Sequence, residues 1–205
     1  IRGAGNLLGR DQSGHIAAVG YDLYVQMVSE AVSELKGEPR PQPIELSIDV
    51  PDAAHLPPAY VPAEDARLEA YRRLAAVRTH EEVDDVAAEW KDRFGPLPGP
   101  VHALLDVARL RVECLRLGIT DLAVAGPRPG AQRSALGGDA PPATVKISPI
   151  DLPASVEVRL RRLAPGARIQ PDLHRLLIPV PVPDADAGYA PALVAFLREL
   201  VPTAN

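Results

Sequence analysis

The sequence is nearly devoid of cysteine and poor in aromatic residues: Cys114 stands alone, and Phe, Trp and Tyr together make up 4% of 205 residues. A single thiol forms no internal disulfide and no thiolate metal cluster. The five histidines, His15, His55, His80, His102 and His174, lack any ligand spacing such as HExxH, so a metal site would need assembly from scattered side chains. No apolar run approaches the ~18 residues of a membrane-spanning helix. No basic stretch followed by an apolar one opens the chain, so secretion is unsupported and a cytoplasmic location is expected. A basic excess is missing too: Lys and Arg number 22 against 27 Asp and Glu, a formal net charge of −5. That argues against free-standing binding to DNA or a membrane surface, whose electrostatic footprint would be basic.

Enzyme signatures are missing as well. There is no GxxxxGK[ST] loop for nucleotide phosphates, and Gly3, Gly5 and Gly9 miss the GxGxxG dinucleotide spacing by one residue. Gly137 and Gly138 sit in a proline-rich loop with no helix start behind them. A GxSxG elbow is absent, and Cys114 lies mid-helix beside an apolar face, where a packed thiol is expected rather than a nucleophile. No catalytic residue, metal or cofactor is therefore assigned to this stretch.

What is abundant is proline, 23 residues, alongside an ordinary apolar share of 46%. That combination predicts defined elements joined by stiff connectors, because true disorder would also lose the apolar residues. Residues 1–21 carry Gly3, Gly5, Gly9, Gly14 and Gly20 with no sustained period. A helix is expected from about Asp22 to Lys36, with Tyr24, Met27, Val28, Ala31 and Leu35 on one stripe and Gly37 and Pro39 as its stop. The run GEPRPQP (37–43) reads as a connector, and Ile44, Leu46, Ile48 and Val50 then alternate with Glu45, Ser47 and Asp49 as in a half-buried strand.

Three helices follow: about 63–77; one opened by a Thr79–Glu82 capping box with core face Val83, Val86, Ala87, Trp90 and Phe94; and one started by Pro98 and Pro100 and stopped at Gly118. Strands are expected near 119–124, 143–148, 167–170 and 175–182, with a helix carrying Leu152, Val156, Leu160 and Leu163, and a last helix carrying Tyr189, Leu193, Phe196, Leu197 and Leu200. Pro179 and Pro181 predict an edge strand or an interrupted one, since proline cannot donate to a ladder. Residues 126–142 read as a mobile loop or a hairpin tip. The fold class is α+β: a glycine-rich loop and helix (1–36), a linker with an entering strand (37–50), then a domain (51–205). That domain has three packed helices followed by a small, mainly antiparallel sheet with two further helices.

Two groups of residues suggest function. Arg2, Asn6, Gln12, Ser13 and His15 place forked or paired hydrogen-bonding groups on a loop whose glycines permit close backbone approach. Glu89, Asp92 and Arg93 fall at i, i+3 and i+4 of the second helix and form one polar patch at its C-terminal end. An ordinary solvated helix face would have the same spacing, with an Arg93–Glu89 pair worth a few tenths of a kcal/mol. Six acids lie between Glu81 and Asp92 against one lysine, which favours a basic partner surface.

The string IRGAGNLLGRDQSGHIAAVGYDLYVQMVSEAV resembles the translocation motif behind the second motor domain of the bacterial transcription-repair coupling factors, shared in part with the branch-migrating helicase of recombination. LPPAYVPAEDARLEAYRRLA, EWKDRFGPLP and LLDVARLR resemble the coupling factors' C-terminal domain. The resemblance covers residues 1 to about 120 and implies a piece of an ATP-driven double-stranded DNA translocase that displaces stalled RNA polymerase and recruits repair proteins. The ATP- and Mg-binding motor would lie upstream of Ile1.

It further implies that Arg2 and Gln12 couple ATP hydrolysis to movement, with Gly3, Gly5, Asn6, Gly9, Ser13 and Gly14 in the same motif. Asn6, where many relatives carry an acid, and the Arg10–Asp11 pair depart from the family pattern. Glu89, Asp92 and Arg93 match positions through which the C-terminal domain docks on an N-terminal repair-helicase-like module, masking the surface that recruits the damage-recognition ATPase. The alternatives are a stand-alone interaction module sharing this domain fold, or part of the branch-migrating helicase, which leaves 57–115 without a counterpart. An independent small enzyme fits least.

Overall fold

Prolines and glycines punctuate the chain where the spacing places them. The computed structural model describes residues 46–130, 141–184 and 186–202. The expected glycine loop, its helix and the 37–43 connector, and most of the 126–142 loop, lie outside those residues. Over the described residues the order is β1 (Ser47–Asp49), α1 (Glu64–Ala76), α2 (His80–Phe94), α3 (Gly99–Leu117), β2 (Asp121–Ala125), β3 (Ala143–Ser148), α4 (Ala154–Leu163), β4 (Arg168–Gln170), β5 (Arg175–Val180) and α5 (Ala190–Leu200). The class is α+β, and the sheet order is β1-β2-β3-β5-β4, parallel only between β1 and β2.

Helix ends follow local chemistry. The Thr79 hydroxyl accepts from the Glu82 N–H at 3.2 Å while the Glu82 carboxylate accepts from the Thr79 N–H at 3.2 Å, the reciprocal box expected for α2. Gly118 ends α3 in the left-handed region (φ 68°), where its N–H reaches the Cys114 and Leu115 carbonyls.

The core is two clusters sharing α3. Val101, Leu104, Leu105, Ala108 and Val112 pack with Leu74 of α1 and Val83, Val86 and Trp90 of α2. Val107, Leu110 and Cys114, on another face of the same helix, join the sheet residues and the Leu193, Leu197 and Leu200 stripe of α5. Cys114 is buried in this cluster. A helix apolar on two faces is one sandwiched between layers.

β1 belongs to the sheet through its pairing of Ser47, Ile48 and Asp49 with Asp121, Leu122 and Ala123. Leu46 and Ile48 are buried while Ser47 and Asp49 are exposed, so the alternation and the pleat agree. Asp52, just beyond, accepts from the Tyr189 N–H at 2.8 Å and the Ala190 N–H at 2.9 Å, capping α5 from across the fold. Gly188 permits this approach: it has φ +67°, and a Cβ there would lie 2.9 Å from the Asp52 carboxylate.

The edge expected for β5 is corrected by the register. β5 pairs with β3 along Leu176–Val180 and with β4 only along Arg175–Leu177. Pro179 therefore lies in an interior strand, but past the end of β4, where its missing N–H breaks no β4 ladder. The turn at Gly166 fills that space; a Cβ at 166 would stand 2.7 Å from the Pro179 ring.

Candidate interdomain interface

The patch at Glu89, Asp92 and Arg93 depends on how α2 is anchored. Trp90, 2% exposed, drives the helix inward with Val83 and Val86. Tyr60 closes its end: the hydroxyl lies 3.0 Å from both the Trp90 and Gly95 carbonyls, and burial raises its pKa. The Tyr60 ring meets Phe94 edge-on at 5.8 Å. Phe94, half-buried, carries the Arg93 guanidinium 5.0 Å over its ring, which holds an exposed cation in a defined direction.

Glu89 does not pair with Arg93. Its carboxylate pairs with Arg73 of α1 instead, because α1 and α2 pack side by side and bring Arg73 within reach. The side chains are 34% and 52% exposed, so the pair contributes at most about 1 kcal/mol. Asp92 and Arg93 are both exposed. The three named residues thus share one end of one helix, with Glu89 tied to α1 and the other two presented to solvent.

The acidic run on α2 is partly neutralised from within. Glu82 is used by the capping box, Glu89 by Arg73, and Asp84 by Arg109 of α3 at 2.7 Å. Arg109 also holds Asp106 at 2.8 Å; burial alone would lower the arginine's pKa, but the two carboxylates raise it. Asp106 is raised because its burial outweighs Arg109. Glu81, Glu82, Asp85 and Asp92 remain exposed without an ion pair among the described residues, so two of the six acids have their charge met by an arginine.

The sequence reading missed the most demanding electrostatic site. Glu113 of α3 is 2% exposed and accepts from Arg116 Nε at 2.7 Å and from Arg198 Nε of α5 at 2.9 Å, with His80 Nε2 of α2 at 2.5 Å. Burial would raise its pKa, but its cationic neighbours hold it below the ordinary carboxylate value. It joins α2, α3 and α5 at one point. The only trace in the sequence is a glutamate set beside Val112 and Cys114 in a helix that proves apolar on two faces.

Arg2, Gly3, Gly5, Asn6, Gly9, Gln12, Ser13 and Gly14 lie outside the described residues. Among the described residues no group of three or more His, Cys, Asp or Glu could hold a metal ion, and no helix is long and apolar enough to cross a membrane.

The family profile for the TRCF domain matches residues 50–128, the span from the end of β1 to just past β2. The transcription-repair-coupling factor of Mycobacterium tuberculosis (strain CDC 1551 / Oshkosh) is 42% identical over 192 residues, covering 88% of this chain. The chain belongs to the transcription-repair coupling factor family. The coupling factor of Staphylococcus aureus (strain NCTC 8325 / PS 47) is 43% identical over 122 residues, 58% of the chain. The chain spans 14% of the mycobacterial coupling factor's length and 10% of the staphylococcal one's. Its fold matches the crystal structure of a C-terminal domain of transcription-repair coupling factor with a TM-score of 0.57 at 16% identity, covering 77% of this chain and 92% of that one. The five helices and mixed five-stranded sheet are thus the architecture of that coupling-factor domain.

Proposed function

We propose that this chain forms the C-terminal region of an ATP-driven double-stranded DNA translocase that displaces stalled RNA polymerase and recruits excision-repair proteins. In this reading residues 51–205 act as a regulatory domain. The α2 patch docks on the N-terminal repair-helicase-like module of the same protein and masks the surface that recruits the damage-recognition ATPase. The observation that carries the reading is the 42% identity with the mycobacterial coupling factor across 192 residues. The surface chemistry supports it: Asp92 is exposed and unpaired among the described residues, and Arg93 is braced by Phe94, so both can pair across an interface without first breaking a strong bond.

Charge reversal tests the docking. In the intact protein, Asp92→Lys combined with Arg93→Glu should raise affinity for the repair ATPase at least about tenfold, read by surface plasmon resonance. Unchanged affinity sinks the masking role.

The same reading assigns Arg2 and Gln12 to a motor that binds ATP and Mg. A guanidinium fork and an amide can exchange hydrogen-bond partners between two motor states. Alanine at either position in the intact protein should leave DNA binding in place and abolish polymerase displacement in a gel-shift assay; normal displacement refutes the coupling role.

A further inference from the structure

The sheet has a second face. Opposite the buried Ile48, Leu122, Val145, Ile147, Leu176 and Ile178, the residues of alternate parity are exposed or half-buried, none fully buried. The register fixes a row across this face: Asp49, Ala123, Lys146, Leu177, Arg168. Lys146 and Arg168 flank Leu177 on the neighbouring strands, and Arg175 lies two residues before it on the same face. Half-buried Leu177 is therefore ringed by three cations.

Their charges are not equally spent. Lys146 is paired with Asp121 at 2.7 Å. Arg168 and Arg175 have no acidic partner among the described residues. Arg175 Nε, together with Oε1 of Gln170 directly opposite it, is withdrawn from water with no hydrogen bond at all.

We infer that this corner of the sheet, centred on Leu177 and rimmed by Arg168, Arg175 and Lys146, docks an acidic segment of a partner protein that carries an apolar residue at its middle. The anatomy is that of a protein interface, an apolar centre inside a polar rim. The guanidinium forks fit carboxylates in paired geometry. A nucleic-acid backbone fits less well: Leu177 offers nothing to a phosphate, and no aromatic side chain stands in the row for a base to stack on. This surface lies on the sheet and is separate from the α2 patch, so it stands or falls independently of the masking role.

The test uses the full 205-residue chain and a fluorescein-labelled glutamate-rich peptide with two central leucines, titrated by anisotropy at low ionic strength. The peptide should bind, and Arg168→Glu/Arg175→Glu should weaken it at least about tenfold. Leu177→Ser should also weaken binding, and serines in place of the peptide's leucines should do the same. Should the double variant fail to fold, Arg168→Glu alone carries the test, since Arg168 is exposed on a sheet edge. Four results overturn the inference: no binding, affinity unchanged by charge reversal, tighter binding of a duplex DNA of equal charge, or self-association of the chain that charge reversal abolishes.

Discussion

Replacing Glu113 with alanine is expected to lower the unfolding free energy by about 2–4 kcal/mol, measured by urea denaturation. The carboxylate is buried and bonded to Arg116, Arg198 and His80, so its loss leaves the guanidiniums of α3 and α5 facing one another without a counter-charge. Arg116 and Arg198 reach partly into solvent, at 25% and 54% exposure, which keeps the cost below that of a fully enclosed broken pair. The pH dependence has a definite sign. A carboxylate whose folded-state pKa is lowered adds stability that is complete above the ordinary carboxylate value and is lost as pH falls through the lowered one. The wild-type chain should therefore lose stability more steeply in acid than Glu113→Ala. Asp106, raised by burial, contributes the opposite slope in both proteins and cancels from the comparison.

Trp90→Ala should cost about 3–5 kcal/mol, the range for emptying a large aromatic site in a core. Trp90 sits among Leu74, Val83, Val86 and Leu104, all buried, in the cluster that holds α1 and α2 on α3. The midpoint of thermal unfolding should fall on the order of 10 °C. Far-UV circular dichroism is the suitable probe, because Trp90 is the only tryptophan. Since α3 also carries Val107, Leu110 and Cys114 into the sheet cluster, the sheet should unfold in the same transition. Separate melting of the two layers would contradict a shared helix as the coupling element.

Elements were the legible part of this sequence. The Thr79 capping box, the Pro98 and Pro100 start, the Gly118 stop and the alternation through residues 46–50 are all local signals, and each lies where the spacing put it. The Glu89, Asp92 and Arg93 patch was legible as a position, since helical spacing alone places the three together. Its partners were not. Arg73 reaches Glu89 only because two helices pack side by side, a contact between residues 16 apart that no periodicity encodes.

Local chemistry, read residue by residue, determined which segments fold as helix or strand and where each stops, because caps and turns act over three or four residues. The tertiary structure decided everything that depends on layers meeting: the second apolar face of α3, the interior place of β5 despite Pro179, the two guanidiniums and the imidazole on Glu113, and the ring of charge around Leu177. Those features are sums of long-range contacts. A sequence fixes them only through the packing of the whole domain, where burial rather than local preference sets which charge finds which partner.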